Sequence, residues 1–218
     1  MPLKNMLLGA FLLGLFAIAG TSLVAFTYDA TAERIAENER QALLSSLHQL
    51  VPPDRHDNDL FADFTYVSDP LLGTSRPVPV YRARRNDEPV AAVLTPFADG
   101  YGGSIRLLVA INVDGTLAGV RVLRHQETPG LGDKIEAERS DWILQFQGLS
   151  LEHPQPSGWA VKKNGGVFDQ FTGATITPRA IVNAVRNSLV FFRDNRERLF
   201  EQDRVAPTDE QKEDQEHG

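Results

Sequence analysis

Hydroxyl, carboxylate and glycine are crowded into Asp169-Gln-Phe-Thr172-Gly173-Ala174-Thr175, which runs straight into Ile176-Thr177-Pro178 and a long apolar-periodic stretch. Thr175 or Thr177 is placed to cap a helix that Pro178 opens, because a hydroxyl accepts from the free amides of a first turn and proline suits the first helical position. Such a helix aims its positive end at the segment. Free N–H groups and the macrodipole there favour a phosphate, free or esterified, by roughly 0.3 to 1 kcal/mol per exposed charge. Gly173 and Ala174 leave room for a bulky ring close to the backbone. The same residues also read as a plain glycine turn and a capping threonine ahead of a surface helix.

A second segment, His125-Gln-Glu127-Thr128-Pro129-Gly130-Leu131-Gly132-Asp133-Lys134, follows a strand pattern. Pro129 fixes one turn dihedral, and Gly130 and Gly132 permit conformations that other residues avoid, so the loop is able to lay backbone donors along a flat ring. Taken alone it is also an ordinary Pro-Gly turn.

Asp, two variable residues, then Thr-Gly-Ala-Thr, preceded by Glu-Thr-Pro-Gly-Leu-Gly, resembles the FMN-binding domain family of two related bacterial ion pumps. These are represented by the G subunit of the Rnf (Rsx) complex and the C subunit of the sodium-translocating NADH:quinone reductase. The resemblance covers the anchor and the domain to about Phe200, and the compact length favours the Rnf type. It implies FMN carried covalently, its phosphate esterified to Thr175. It further implies cofactor contacts from Glu127, Thr128, Leu131, Gly132, Thr172, Gly173, Ala174 and Thr177, and recognition of Asp169 by a flavin transferase during maturation. Asp169 reads equally as a structural turn residue. The implied function is electron relay within a ferredoxin- and NAD-linked ion-translocating oxidoreductase, among other membrane and redox subunits, without independent turnover. The alternative is a membrane-tethered assembly or sensory module that binds FMN reversibly. A stand-alone flavin reductase is disfavoured, since no Gly-x-Gly-x-x-Gly fingerprint is present.

Around these motifs, Tyr101 and Trp159 either stack near the flavin or pack the hairpins. Lys162 and Lys163 either pair with the phosphate or face solvent. His125 reads as a satisfied loop residue.

Composition narrows the remaining chemistry. The 218 residues hold one ordinary domain plus an anchor and tails. A net charge of −7 argues against nucleic acid as a partner. The chain has no cysteine, which excludes disulfides, a thiol nucleophile and cysteinyl iron–sulfur ligation within it. Its five histidines lack ligand spacing, so no metal site is expected. The tightest basic group, Arg82, Arg84 and Arg85, reads as a solvated strand face, with docking to an acidic subunit as the alternative.

Met6 to Phe26 is a run of 21 uncharged, largely apolar residues, long enough at about 1.5 Å per residue to cross a hydrocarbon core of about 30 Å. It reads as one transmembrane helix. A cleaved signal peptide ending near Ala30-Thr31-Ala32 is the competing reading, and the run exceeds the usual apolar region of roughly 7 to 15 residues. Flanking charge hardly decides orientation. The resemblance implies the bacterial inner membrane, crossed once, with the domain on the periplasmic side.

The expected organisation is an anchor over residues 1–28, a juxtamembrane helix over 29–53, an FMN-binding domain over 54–200 and an acidic, disordered tail over 201–218. That tail holds seven acidic and two basic residues. Residues Asp54 to Pro77 read as a loop-rich connection. Strands are expected at 78–83 and 90–95 around Asn86-Asp87, at 105–113 and 120–123 around Asp114-Gly115, and at 159–162 and 167–171 around Asn164-Gly165-Gly166. Helices are expected at 134–146 and 178–200. Antiparallel hairpins packed with helices, and no parallel crossover repeat, make an α+β domain.

Overall fold

A computed structural model describes residues 2–201 and divides the chain into two compact units, Met1–Leu43 and Leu44–Gly218. Apart from Glu201, which is helical, the acidic tail expected over 201–218 lies outside the described residues.

Helix α1 runs unbroken over Pro2–Leu50. Leu3–Leu50 contains a stretch long and apolar enough to cross a membrane, and Phe11, Phe16 and Phe26 on it are exposed. Proline ends the helix: Val51 donates its amide to Leu47 (2.8 Å), and Pro52 then disfavours helical geometry in the residue before it.

The second unit is built on one antiparallel sheet. Strands β1 (Phe64–Asp69), β2 (Thr74–Arg85), β3 (Glu88–Leu94), β4 (Phe97–Asp99), β5 (Ser104–Asn112) and β6 (Leu117–Arg124) precede helix α2 (Ile176–Glu201). β1 pairs with β2, β2 with β3, and β5 with β3, β4 and β6. β3 meets Val109–Asn112 and β4 meets Ser104–Arg106, so the two run end to end along one side of β5. The break falls at Pro96, which has no N–H to give but still accepts from Leu107 (2.9 Å). The β2–β3 turn uses Asn86 and Asp87, both at positive φ (53° and 62°), the geometry that suits a two-residue hairpin.

Alternation along the strands sends Val80, Leu94, Leu107, Val109 and Val120 to one face. There they meet Ile181, Val185, Leu189 and Phe192 of α2, together with Trp142, Phe146 and Phe168. On β6, Val120 serves that core while Gly119 faces the other side, where a Cβ would lie 2.9 Å from Leu50. Leu47, Leu50 and Val51 are buried, so the end of α1 covers part of the second face.

Four expectations need correction. β1 lies inside the segment read as loop; its four-residue Phe-Thr-Tyr-Val pattern is short and flanked by aspartates. The expected helix at 134–146 is two 3₁₀ turns, Asp133–Ile135 and Asp141–Phe146. Ser140 is extended between them and its hydroxyl accepts from the Trp142 amide (3.2 Å), so it starts a new turn instead of continuing an old one. The last hairpin, at 159–171, reduces to an isolated parallel bridge between Val161 and Phe168. A Cβ on Gly166 would collide with the Ala160 carbonyl, and Lys162–Asn164 form a 3₁₀ turn, leaving no extended pair.

The fourth correction concerns the basic cluster. Arg82 is fully buried: Nη2 and Nε lie 2.8 Å from Asp63 Oδ1, and Nη1 donates to the Leu199 carbonyl (3.2 Å). Arg84 donates to Asp63 Oδ2 (3.2 Å) and to the Phe200 carbonyl (2.6 Å). Two cations therefore close the negative end of α2. Only Arg85 is exposed.

Candidate functional site

β6 ends at Arg124 and delivers the His125–Lys134 loop. His125 Nδ1 accepts the Glu127 amide (3.0 Å), so the ring proton sits on Nε2 and is donated to Glu136 Oε1 (2.8 Å). The Thr128 carbonyl accepts from the amides of Leu131 and Gly132 (both 3.1 Å), closing a turn with Gly130 at φ 79°. Thr128, Pro129, Gly130 and Leu131 are thereby turned outward while Glu127 is turned inward and buried.

Glu127 is held from two directions. Its Oε1 accepts the Gly102 amide (2.9 Å) and its Oε2 accepts the Thr177 hydroxyl. Gly102 is obligatory here, since any Cβ would strike the Gln126 carbonyl. A buried carboxylate without donors would be costly, and these two supply the need.

The second segment is anchored from below. Phe171 is buried edge-on to Trp142 at 5.2 Å, and the Trp142 indole N–H donates to the Asp169 carbonyl (2.8 Å). The Ala174 amide donates to the Phe171 carbonyl (3.2 Å) across a turn in which Gly173 has φ 85°. Thr172 and Gly173 are exposed, Ala174 is buried, and Thr175 is half-buried immediately before the first residue of α2. Thr177 sits inside the helix with its hydroxyl spent on Glu127, so the cap position belongs to Thr175. The Thr175 hydroxyl has no hydrogen-bond partner among the described residues.

The two segments touch, because a Cβ on Gly173 would lie 3.4 Å from Leu131 Cδ2. Glu127, Leu131, Gly132, Gly173 and Thr177 are thus brought together, with Thr128, Thr172, Ala174 and Thr175 beside them in the same segments. Tyr101, 71% exposed, sits next to Gly102 on the loop over Glu127. Trp159 is elsewhere: buried, against Phe168 at 5.5 Å, its indole N–H given to the Ser150 carbonyl (3.1 Å). Lys162 pairs with Asp169 Oδ1 at 2.6 Å, both side chains exposed, and Lys163 is exposed. Sequence reasoning passed over Gly102 and Trp142 as parts of this arrangement. Only the Tyr101-Gly-Gly run signalled a backbone approaching something closely.

Residues 100–190, which hold both segments, match the family described as FMN-binding domain, and residues 1–50 match the RnfG N-terminal region. The G subunit of the ion-translocating oxidoreductase complex of Pseudomonas aeruginosa (strain PAO1) is 48% identical over 205 residues, 93% of this chain and 96% of that protein. The protein of the same description from Shewanella loihica is 47% identical over 199 residues, 90% of this chain and 94% of that one. The chain belongs to the G-subunit family of ion-translocating oxidoreductase complexes.

The FMN-binding domain of this G-subunit family member opens at the Gly100–Gly103 turn, takes in β5, β6 and both motif segments, and closes within α2. β1 to β4 precede the matched region. The crystal structure of NqrC from Shewanella oneidensis is similar with a TM-score of 0.46 and 23% identity, covering 66% of this chain and 74% of that one.

Proposed function

We propose that this protein carries FMN covalently, as a phosphoester on Thr175, and relays electrons within a ferredoxin- and NAD-linked ion-translocating complex of the Rnf type. One observation carries the reading: Thr175 offers a half-buried hydroxyl, without a hydrogen-bond partner among the described residues, at the positive end of a 26-residue helix, two residues after a left-handed, exposed Gly173 that faces Leu131. A phosphoester dianion or monoanion suits that helix end. Exposed Leu131, Ile176 and Tyr101 offer apolar surface for a ring. The residues present therefore fit the group.

Bound FMN supplies reversible one- and two-electron acceptance. The chain's part is to hold and orient. Thr175 provides the ester oxygen, Thr172, Gly173 and Ala174 surround the phosphate, and Thr128, Leu131 and Gly132 flank the ring. Asp169, exposed at the head of the motif, is read by a flavin transferase. The stretch within Leu3–Leu50 anchors the protein in the inner membrane, with the domain on the periplasmic side among the other subunits.

The test is the intact mass of the protein and of Thr175→Ala after production with a flavin transferase. The ester forms with net loss of one water, so wild type should gain the mass of FMN less water and the variant should not. No increment in wild type, with the transferase active on a control, favours an assembly or sensory module binding FMN reversibly.

A further inference from the structure

The Glu127 carboxylate joins three stretches of chain that are far apart in sequence. It belongs to the loop after β6, it receives the Gly102 amide from the turn before β5, and it receives the Thr177 hydroxyl from the first turn of α2. It is buried, and its own amide is tied through His125 to Glu136. Gly132 is also required by it, because a Cβ there would press on the Glu127 side chain. Both oxygens thus have donors inside the protein, and the side chain faces away from the outward-turned Thr128–Leu131 surface.

Thr177 lies two residues beyond Thr175. Holding Thr177 therefore fixes the first turn of α2, and with it the direction of the Thr175 hydroxyl relative to Leu131. The negative carboxylate also sits at the positive end of α2, where it stabilises that turn from outside the helix.

We propose that Glu127, clasped by Gly102 and Thr177, is a positioning residue that aims the Thr175 hydroxyl and touches no part of the cofactor. This rests on Thr175 being the acceptor, and it reassigns Glu127 and Thr177 from cofactor contact to the support beneath it. Thr177→Val keeps the shape and removes the donor. Glu127→Gln keeps the shape and removes the charge. Thr177→Ser keeps the hydroxyl.

The experiment uses full-length protein in detergent and has two readouts. In unflavinylated protein, hydrogen exchange of the amides at 174–180 should rise at least tenfold in Thr177→Val and Glu127→Gln, with exchange in β5 unchanged and Thr177→Ser close to wild type. In the presence of flavin transferase, the rate of mass increase should fall at least tenfold in the first two variants and recover in Thr177→Ser. The Glu127→Gln/Thr177→Val double variant should be no slower than the slower single variant, as expected for one shared contact. Once loaded, Thr177→Val and Glu127→Gln should keep the wild-type flavin absorption spectrum. Wild-type exchange and attachment in folded variants would overturn the proposal, as would additive losses or a shifted spectrum, which would mean direct contact. If Glu127→Gln fails to fold, Thr177→Val decides alone. A wild type that never gains flavin counts against the acceptor role of Thr175, while the exchange readout still judges the clasp.

Discussion

The indole N–H of Trp142 donates to the backbone carbonyl of Asp169 at 2.8 Å, which pins the first residue of the threonine motif to a 3₁₀ turn 27 positions earlier in the chain. The hydrogen bond uses only the main chain of Asp169, leaving its carboxylate out in solvent, 65% exposed and paired with an equally open Lys162. Backbone position and side-chain availability are therefore set by different contacts. An anchored main chain under an accessible carboxylate suits the proposed recognition of Asp169 by a flavin transferase.

Asp169→Asn should accordingly leave folding intact and lower the extent of flavin attachment. An exposed ion pair contributes little, so loss of the Lys162 contact should shift stability by no more than about 0.5 kcal/mol. Lys162→Ala should match wild type in both thermal midpoint and attachment. Near-ultraviolet circular dichroism melts and intact masses on the same samples separate the two effects. An attachment loss in Lys162→Ala as large as in Asp169→Asn would assign recognition to the pair.

Arg82 gives the opposite expectation. Its guanidinium is fully buried between Asp63 and the end of α2, so Arg82→Leu removes the buried counter-charge of Asp63 and the donor to the Leu199 carbonyl. The expected cost is about 3 kcal/mol, moderated by Arg84, which also reaches Asp63. Arg82→Leu/Asp63→Asn should not recover it, since Arg84 still pairs with Asp63 in the single variant and loses that carboxylate in the double. Thermal or urea midpoints of the full-length variants measure both, and Arg85→Leu, on the exposed end of the same strand, should change neither.

The contrast within that arginine cluster separates what neighbouring residues encode from what distant ones decide. The turns at Asn86-Asp87 and Asp114-Gly115, the strands they join and the long amphipathic α2 are written in residues at most a few positions apart. Those elements were legible. Arg82 looked like a surface residue because its partners, Asp63 and Leu199, lie 19 and 117 positions away. At the site, the Thr-Gly-Ala-Thr and Pro-Gly-Leu-Gly turns declared themselves by their own glycines. The Glu127–Thr177 contact across 50 positions did not. The single helix expected at 134–146 failed for a local reason, since Ser140 is as good a helix start as it is a poor helix interior.

Tyr81 predicts an alkaline limit to stability. Burial pushes its phenol up from 10.0 to about 12, with Arg106 opposing that rise. Below pH 10 both folded and unfolded chains keep the proton, and the contribution is complete. Between pH 10 and about 12 the unfolded chain loses the proton while the folded one holds it, so the folded state binds more protons and stability falls as pH rises. Two pH units correspond to about 2 to 3 kcal/mol. Urea midpoints at pH 9 and pH 12 should therefore show Tyr81→Phe gaining on wild type by an amount of that order. Parallel behaviour of the two proteins across the range would remove Tyr81 as the cause.

The absence of cysteine makes the orientation of the domain directly measurable. Glu88 is exposed on the β2–β3 hairpin, outside both motif segments, so Glu88→Cys introduces one thiol without disturbing the site. With a periplasmic domain, a membrane-impermeant maleimide should label this cysteine in cells whose outer membrane alone has been opened, and the cysteine-free parent should stay unlabelled. A second cysteine protein, Asn5→Cys, samples the other flank of the apolar stretch and should react only once the inner membrane is breached. Reversal of the two patterns would put the domain in the cytoplasm. Labelling of both without breaching the inner membrane would mean that the N-terminal stretch does not cross it, since a helix that spans the bilayer must leave its two ends on opposite sides.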